Sequence, residues 1–89
     1  MDDNYKYLFS TVLHSKIKEQ VIGKVFTRVM YNDTLLISIT SYDNVEFVME
    51  ISNFSEKILN GWSTDYAVYE VLEKYKKFVT NRIMKKYFV

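Results

Sequence analysis

The stretch from Val21 to Ile51 is V-I-G-K-V-F-T-R-V-M-Y-N-D-T-L-L-I-S-I-T-S-Y-D-N-V-E-F-V-M-E-I, a third of the chain with a pattern unlike that of its flanks. β-Branched and aromatic residues dominate it, the composition of pleated, half-buried strands. Two polar clusters interrupt it, Tyr31-Asn32-Asp33-Thr34 and Ser41-Tyr42-Asp43-Asn44. Both are rich in the residues that form tight turns. The stretch therefore predicts three strands, over 22–31, 34–41 and 45–51, joined by two short hairpins. Leu35, Ile37 and Ile39 alternate with Leu36, Ser38 and Thr40. Val45, Phe47, Met49 and Ile51 alternate with Glu46, Val48 and Glu50. One face is apolar and the other largely polar, as in an antiparallel meander covered on one side.

The flanking segments supply the cover. Before the strands, Tyr5, Leu8, Phe9, Val12, Leu13 and Ile17 recur at helical spacing, with Asp2 or Asp3 placed to cap that helix. After them, Asn53 and Glu56 have the spacing of a capping box and predict a short second helix. It ends at Gly61, within Leu59-Asn60-Gly61-Trp62-Ser63-Thr64-Asp65-Tyr66. Here glycine stops one helix and Ser63 or Thr64 starts the next, so this stretch reads as a joint. Val68, Val71, Leu72, Tyr75, Phe78, Val79 and Ile83 give the third helix its apolar face. Arg82 and Lys86 follow on part of that face, so this helix is expected to outrun the core. The expected fold is a single α+β domain over 1–89, in the order α-β-β-β-α-α. Its three-stranded antiparallel meander has the helices packed on one face.

Composition narrows function. The chain has 89 residues, a net charge of +1 and no cysteine, so disulfide and thiolate chemistry are excluded. The N-terminus lacks a signal-peptide pattern and no apolar run is long enough to span a bilayer, so the expectation is a soluble protein of a bacterial cytoplasm. The richness in Lys, Asn, Ile, Tyr and Phe without proline points to an AT-rich coding sequence of bacterial or phage origin. His14 is the single histidine, with no nucleophile or carboxylate placed beside it in sequence, and reads as a solvated or half-packed helix residue. Zinc-ligand spacing and a glycine-rich phosphate loop are both missing. Asp43 and Glu46 are too few oxygen ligands for Ca²⁺. The expectation is a non-enzyme with no cofactor or metal.

Two binding readings remain. From Lys74 onward there are six basic residues and no acid. Lys74, Lys77 and Lys85 lie near one edge of the third helix, a row that suits phosphate contacts, with Lys76 on the opposite flank. Against this nucleic-acid reading stands a protein-binding one. The chain holds eight tyrosines, side chains that bring large contact area at low entropy cost. Tyr31 and Tyr42 fall in the two turns, beside Asp33 and Asp43. Glu46 and Glu50 point away from the apolar face by strand alternation. These six residues, with Asp65, form the candidate contact set for a partner protein. The apolar tail Tyr87-Phe88-Val89 is a candidate for self-association.

Two local patterns add a resemblance. Asn60-Gly61-Trp62-Ser63-Thr64-Asp65-Tyr66 resembles the N-G-W-x-x-acid-Y joint of a family of small phage anti-CRISPR proteins that inhibit Cas9. Asp43-Asn44-Val45-Glu46 resembles that family's D-x-x-E hairpin, and the element order is the same. The family's acids imitate DNA and occupy the site where Cas9 reads its short duplex motif. The resemblance therefore implies contact roles for Asp43 and Glu46, and a host CRISPR effector as partner. The family is strongly acidic, whereas this chain is nearly neutral and carries Val68 and Tyr69 where the family has paired acids.

Overall fold

The computed structural model describes residues 4–88, with side chains described through residue 83. Its elements are α1 (Asn4–Lys18), β1 (Lys24–Met30), β2 (Thr34–Thr40), β3 (Glu46–Ile51), α2 (Phe54–Leu59) and α3 (Thr64–Phe88). The strands form one antiparallel sheet in the order β1-β2-β3. This is the α-β-β-β-α-α order and α+β class that the sequence predicts. The caps expected at Asp2 or Asp3, the side chains of Lys85, Lys86, Tyr87 and Phe88, and residue 89 lie outside what is described, while the backbone of 87 and 88 belongs to α3.

Register sorts the side chains into two faces. Val25, Ile39 and Phe47 share one row, Thr27, Ile37 and Met49 a second, and Val29, Leu35 and Ile51 a third. These rows face the helices. Ile37, Ile39 and Leu35 are fully buried there, together with Leu13 and Ile17 of α1, Phe54 of α2 and Val71 of α3. Burying an apolar side chain of this size stabilises the fold by about 1.5–3 kcal/mol, so these few residues dominate its cohesion.

The structure corrects the expected stripe of α1. Leu13, Ile17 and Ser10 are buried and Phe9 is partly so, but Leu8 is 66% exposed and Val12 is 42% exposed. Leu8 and Val12 lie about 100–140° around the helix from Leu13, so a helix seated on Leu13 turns them outward. The first strand also starts later than expected, at Lys24. Gly23 has φ +138° and sits where a Cβ would overlap the Thr40 carbonyl oxygen, so the chain enters the sheet through a position only glycine fits.

A second correction concerns α2. Asn53 is left-handed (φ 55°, ψ 44°) and its side chain makes no capping bond, so the expected capping box is absent. A residue at the N-cap ordinarily takes extended backbone angles, and the left-handed turn between β3 and α2 departs from that geometry. A distant residue supplies the cap instead, as described below.

α3 is 25 residues long. At 1.5 Å per residue that is roughly 37 Å, against about 23 Å for a seven-residue strand. Its first half carries the buried Ala67, Val68 and Val71. Tyr75 and Phe78 then pack on Phe47, with ring centroids 5.5 and 5.4 Å away. Beyond Ile83 the helix continues to Phe88.

Candidate interaction surface

The two hairpin turns share one construction. In the first, the Asp33 N–H donates to the Met30 carbonyl at 3.2 Å and Asp33 has φ 60°. In the second, the Asn44 N–H donates to the Ser41 carbonyl at 2.9 Å and Asn44 has φ 65°. Each is a three-residue loop closed by a left-handed residue, a form that Asp and Asn tolerate better than most. Tyr31 and Tyr42 occupy the same first loop position, and both are almost wholly exposed.

The aspartates of these turns are engaged inside the fold. The Asp33 carbonyl accepts the Phe54 N–H at 2.9 Å. Its carboxylate accepts the Ser55 N–H at 3.1 and 3.3 Å and the Ser55 hydroxyl at 2.6 Å. Lys6 of α1 lies 3.6 Å away. Asp33 thus caps α2 from the first hairpin turn, which lies at the same end of the sheet as the end of β3. The Ser55 hydroxyl bond outweighs the opposing effect of burial and, with help from the Ser55 N–H and Lys6, holds its carboxyl below the ordinary aspartate range. Asp43 accepts a short hydrogen bond from the Ser41 hydroxyl and pairs with Arg82 of α3 at 3.4 Å. Ser41 first, then Arg82, lowers its pKa too. Asp65 pairs with Lys16 of α1 at 2.6 Å, and Lys16 also donates to the Thr64 hydroxyl at 3.0 Å.

Glu46 and Glu50 are exposed on the outer face of β3, and among the described residues neither is within ion-pair distance of a cation. Tyr31 and Tyr42 stand at opposite ends of the sheet, separated by the length of β2. The candidate set is therefore not one cluster. Glu50 and Glu46 form a strip between the two turn tyrosines on the face away from the helices, whereas Asp33, Asp43 and Asp65 are tied to the helices.

That outer face contains residues the sequence reading passed over. Register places Lys24, Thr40 and Glu46 in one row, Phe26, Ser38 and Val48 in the next, and Arg28, Leu36 and Glu50 in a third. Phe26 and Val48 are each 51% exposed, and Ser38 between them is buried. Cations line the β1 side and glutamates the β3 side. The missed signal is in β1. Its two faces, Val25-Thr27-Val29 and Lys24-Phe26-Arg28, both mix polar and apolar residues, so alternation alone does not orient it. The three-residue loop does, once recognised, because it fixes Met30 opposite Thr34.

The joint between α2 and α3 forms as read. The Trp62 N–H donates to the Lys57 carbonyl at 2.9 Å and the Gly61 N–H to the Ile58 carbonyl at 3.0 Å, the paired bonds of a Schellman motif around Gly61 (φ +94°). The Ser63 hydroxyl accepts the Tyr66 N–H at 3.1 Å and so is the cap of α3. Trp62 stacks on Phe9 at 5.3 Å and meets Phe54 edge-on at 6.4 Å, while its indole N–H donates to Glu70 at 3.2 Å. A shallow open recess of about 570 Å³ lies beside it, lined by Asn53, Glu56, Lys57, Asn60 and Tyr66 among others.

Lys74 and Lys77 are exposed on α3, and Lys76 pairs with Glu73 at 3.9 Å. His14 is half-buried, its Nδ1 3.3 Å from the Thr27 hydroxyl. Among the described residues no three His, Cys, Asp or Glu side chains gather as a metal-ligand group. No helix among them is long and apolar enough to cross a membrane. No family model, curated protein or solved structure matches this chain.

Proposed function

We propose that this protein is a small phage-type inhibitor that binds a host defence protein and blocks it by occupying its surface. One observation carries the reading. Each hairpin turn is fastened by internal polar bonds, Asp33 to Ser55 and Asp43 to Ser41 and Arg82, while presenting an exposed tyrosine. An exposed aromatic on a rigid turn adds little to folding. It is suited to contact, because its geometry is set before the partner arrives. Glu46 and Glu50 add an acidic margin between the two tyrosines. The likeness to the anti-CRISPR family makes a CRISPR effector such as Cas9 the first partner to test, with Glu46 as a contact. Asp43 and Asp65 would share their charge with Arg82 and Lys16.

The test is co-elution with Cas9 and guide RNA, together with a cleavage assay. Undiminished cutting without co-elution removes the Cas9 version. Capture from bacterial lysate with the wild type and with Tyr31→Ala/Tyr42→Ala tests the wider reading. A partner retained by both to the same extent counts against the tyrosines.

A second reading keeps Lys74 and Lys77, exposed on α3, with Lys85 as the third member of the row, as a nucleic-acid contact. It expects binding to DNA or RNA that weakens steeply with salt. Gel shifts across a salt series separate the two readings, since the inhibitor reading expects little binding to free nucleic acid.

A further inference from the structure

We propose that the outer sheet face is the docking site for a second copy of this chain, related to the first by a two-fold axis along β2. The argument is the order of the three rows. A two-fold axis along the middle strand keeps every row at its own level and exchanges the outer strands. Lys24 then lies over Glu46 of the second copy, and Arg28 over Glu50 of the second copy. Phe26 lies over Val48 of the second copy. The same three pairings recur in reverse, because a two-fold interface uses one patch twice.

The face is thus complementary to itself. Its cations are all on β1 and its anions all on β3, at matching levels. A two-fold axis across the strands would instead bring cation toward cation. The centre of the patch suits contact as well. Phe26 and Val48, each 51% exposed, flank the covered Ser38 and give the middle row two apolar side chains that the second copy meets in exchanged order. Facing sheets pack about 10 Å apart with strands inclined by about 30°, a gap that Lys, Arg and Glu side chains reach across.

Three strands about 4.8 Å apart and some 20 Å long present a footprint on the order of 300 Å² per copy, well below the roughly 800 Å² of a standard interface. The dimer is therefore weak and reversible. Its formation requires no host partner and does not depend on the inhibitor reading. It covers Glu46 and Glu50, whereas the turn tyrosines lie beyond the ends of the rows.

Sedimentation of the full chain tests it. Wild type should show reversible dimerisation between about 10 µM and 1 mM, weakened by salt. Lys24→Glu/Arg28→Glu should be monomeric, and so should Glu46→Lys/Glu50→Lys, because each places like charges face to face. Mixing the two variants should restore a dimer, since one face is then wholly acidic and the other wholly basic. Unchanged thermal unfolding of each variant at low concentration establishes that the fold is intact. Should a variant fail to fold, Phe26→Ser provides the alternative and should lower dimerisation at least tenfold. A wild type that stays monomeric at 1 mM overturns the proposal. So does dimerisation of either charge variant as strong as that of wild type, or a mixture that remains monomeric.

Discussion

The Asp33 carboxylate reaches across 22 positions of sequence to receive both the N–H and the hydroxyl of Ser55, at 3.1 and 2.6 Å. One residue thereby closes the first hairpin through its backbone N–H and starts the second helix through its carboxylate. Asp33→Ala removes the cap and leaves a left-handed residue with no side-chain acceptor. It should destabilise the fold by about 1–2 kcal/mol, measured as a lower midpoint in urea unfolding. Asp33→Asn keeps an acceptor oxygen and tolerates the left-handed conformation, so it should lose less than half as much.

Acid should act through the same residue. Asp33 and Asp43 both titrate below the ordinary aspartate value of 3.8 in the folded protein. The folded state therefore holds their protons less tightly than the unfolded chain does. The stability they contribute is complete above the unfolded pKa and disappears as pH falls through the lower, folded one. Urea midpoints should change little through these two residues down to about pH 5 and then fall toward pH 2.5. Asp33→Asn should make that fall shallower, and an equal slope in the variant would contradict the role of the cap.

Two glycines separate conformational cost from steric cost. Gly61 (φ +94°) has nothing within 4 Å of an added Cβ, whereas Gly23 (φ +138°) faces the Thr40 carbonyl. Gly61→Ala should cost about 1–2 kcal/mol from backbone strain alone. Gly23→Ala should cost more, because the strand entry must move as well. Thermal unfolding of the two variants side by side checks the order.

The turn tyrosines should be dispensable to the fold. Tyr31→Ser and Tyr42→Ser remove side chains that are almost wholly exposed, so unfolding free energies should stay within about 0.5 kcal/mol of wild type. Denaturant titrations measure this directly. Loss of a captured partner without loss of stability would then be attributable to contact.

The contrast between Asp33 and Gly61 shows what the sequence made legible. The joint at Gly61-Trp62-Ser63 was readable because helix stops and starts are local, and every participant lies within a few positions. The meander was readable because turn chemistry and alternation are local too. The cap of α2 was not. Asn53 and Glu56 have a local signature, but the left-handed turn out of β3 overrides it and Asp33 comes from another hairpin. Leu8 and Val12 were misplaced because two adjacent rows of α1 are both apolar, and only the seating of the helix chooses between them. The roles of Asp33, Asp43 and Asp65 as internal ties arise from pairs 22 to 49 positions apart, which no short motif encodes.

The strands are neighbours in space in the order they leave the chain. Each pairing closes a loop of three residues or so, the kind of contact that forms within about 1–10 µs in isolated hairpins. No proline is present anywhere, so the slow isomerisation that delays many refolding reactions has no source. The docking of the helices, α1 on α3 and on the Phe54 and Trp62 rings and α3 on the second turn through Arg82, joins distant parts of the chain. Refolding should therefore be a single exponential completed well within a second, with its rate limited by that last closure.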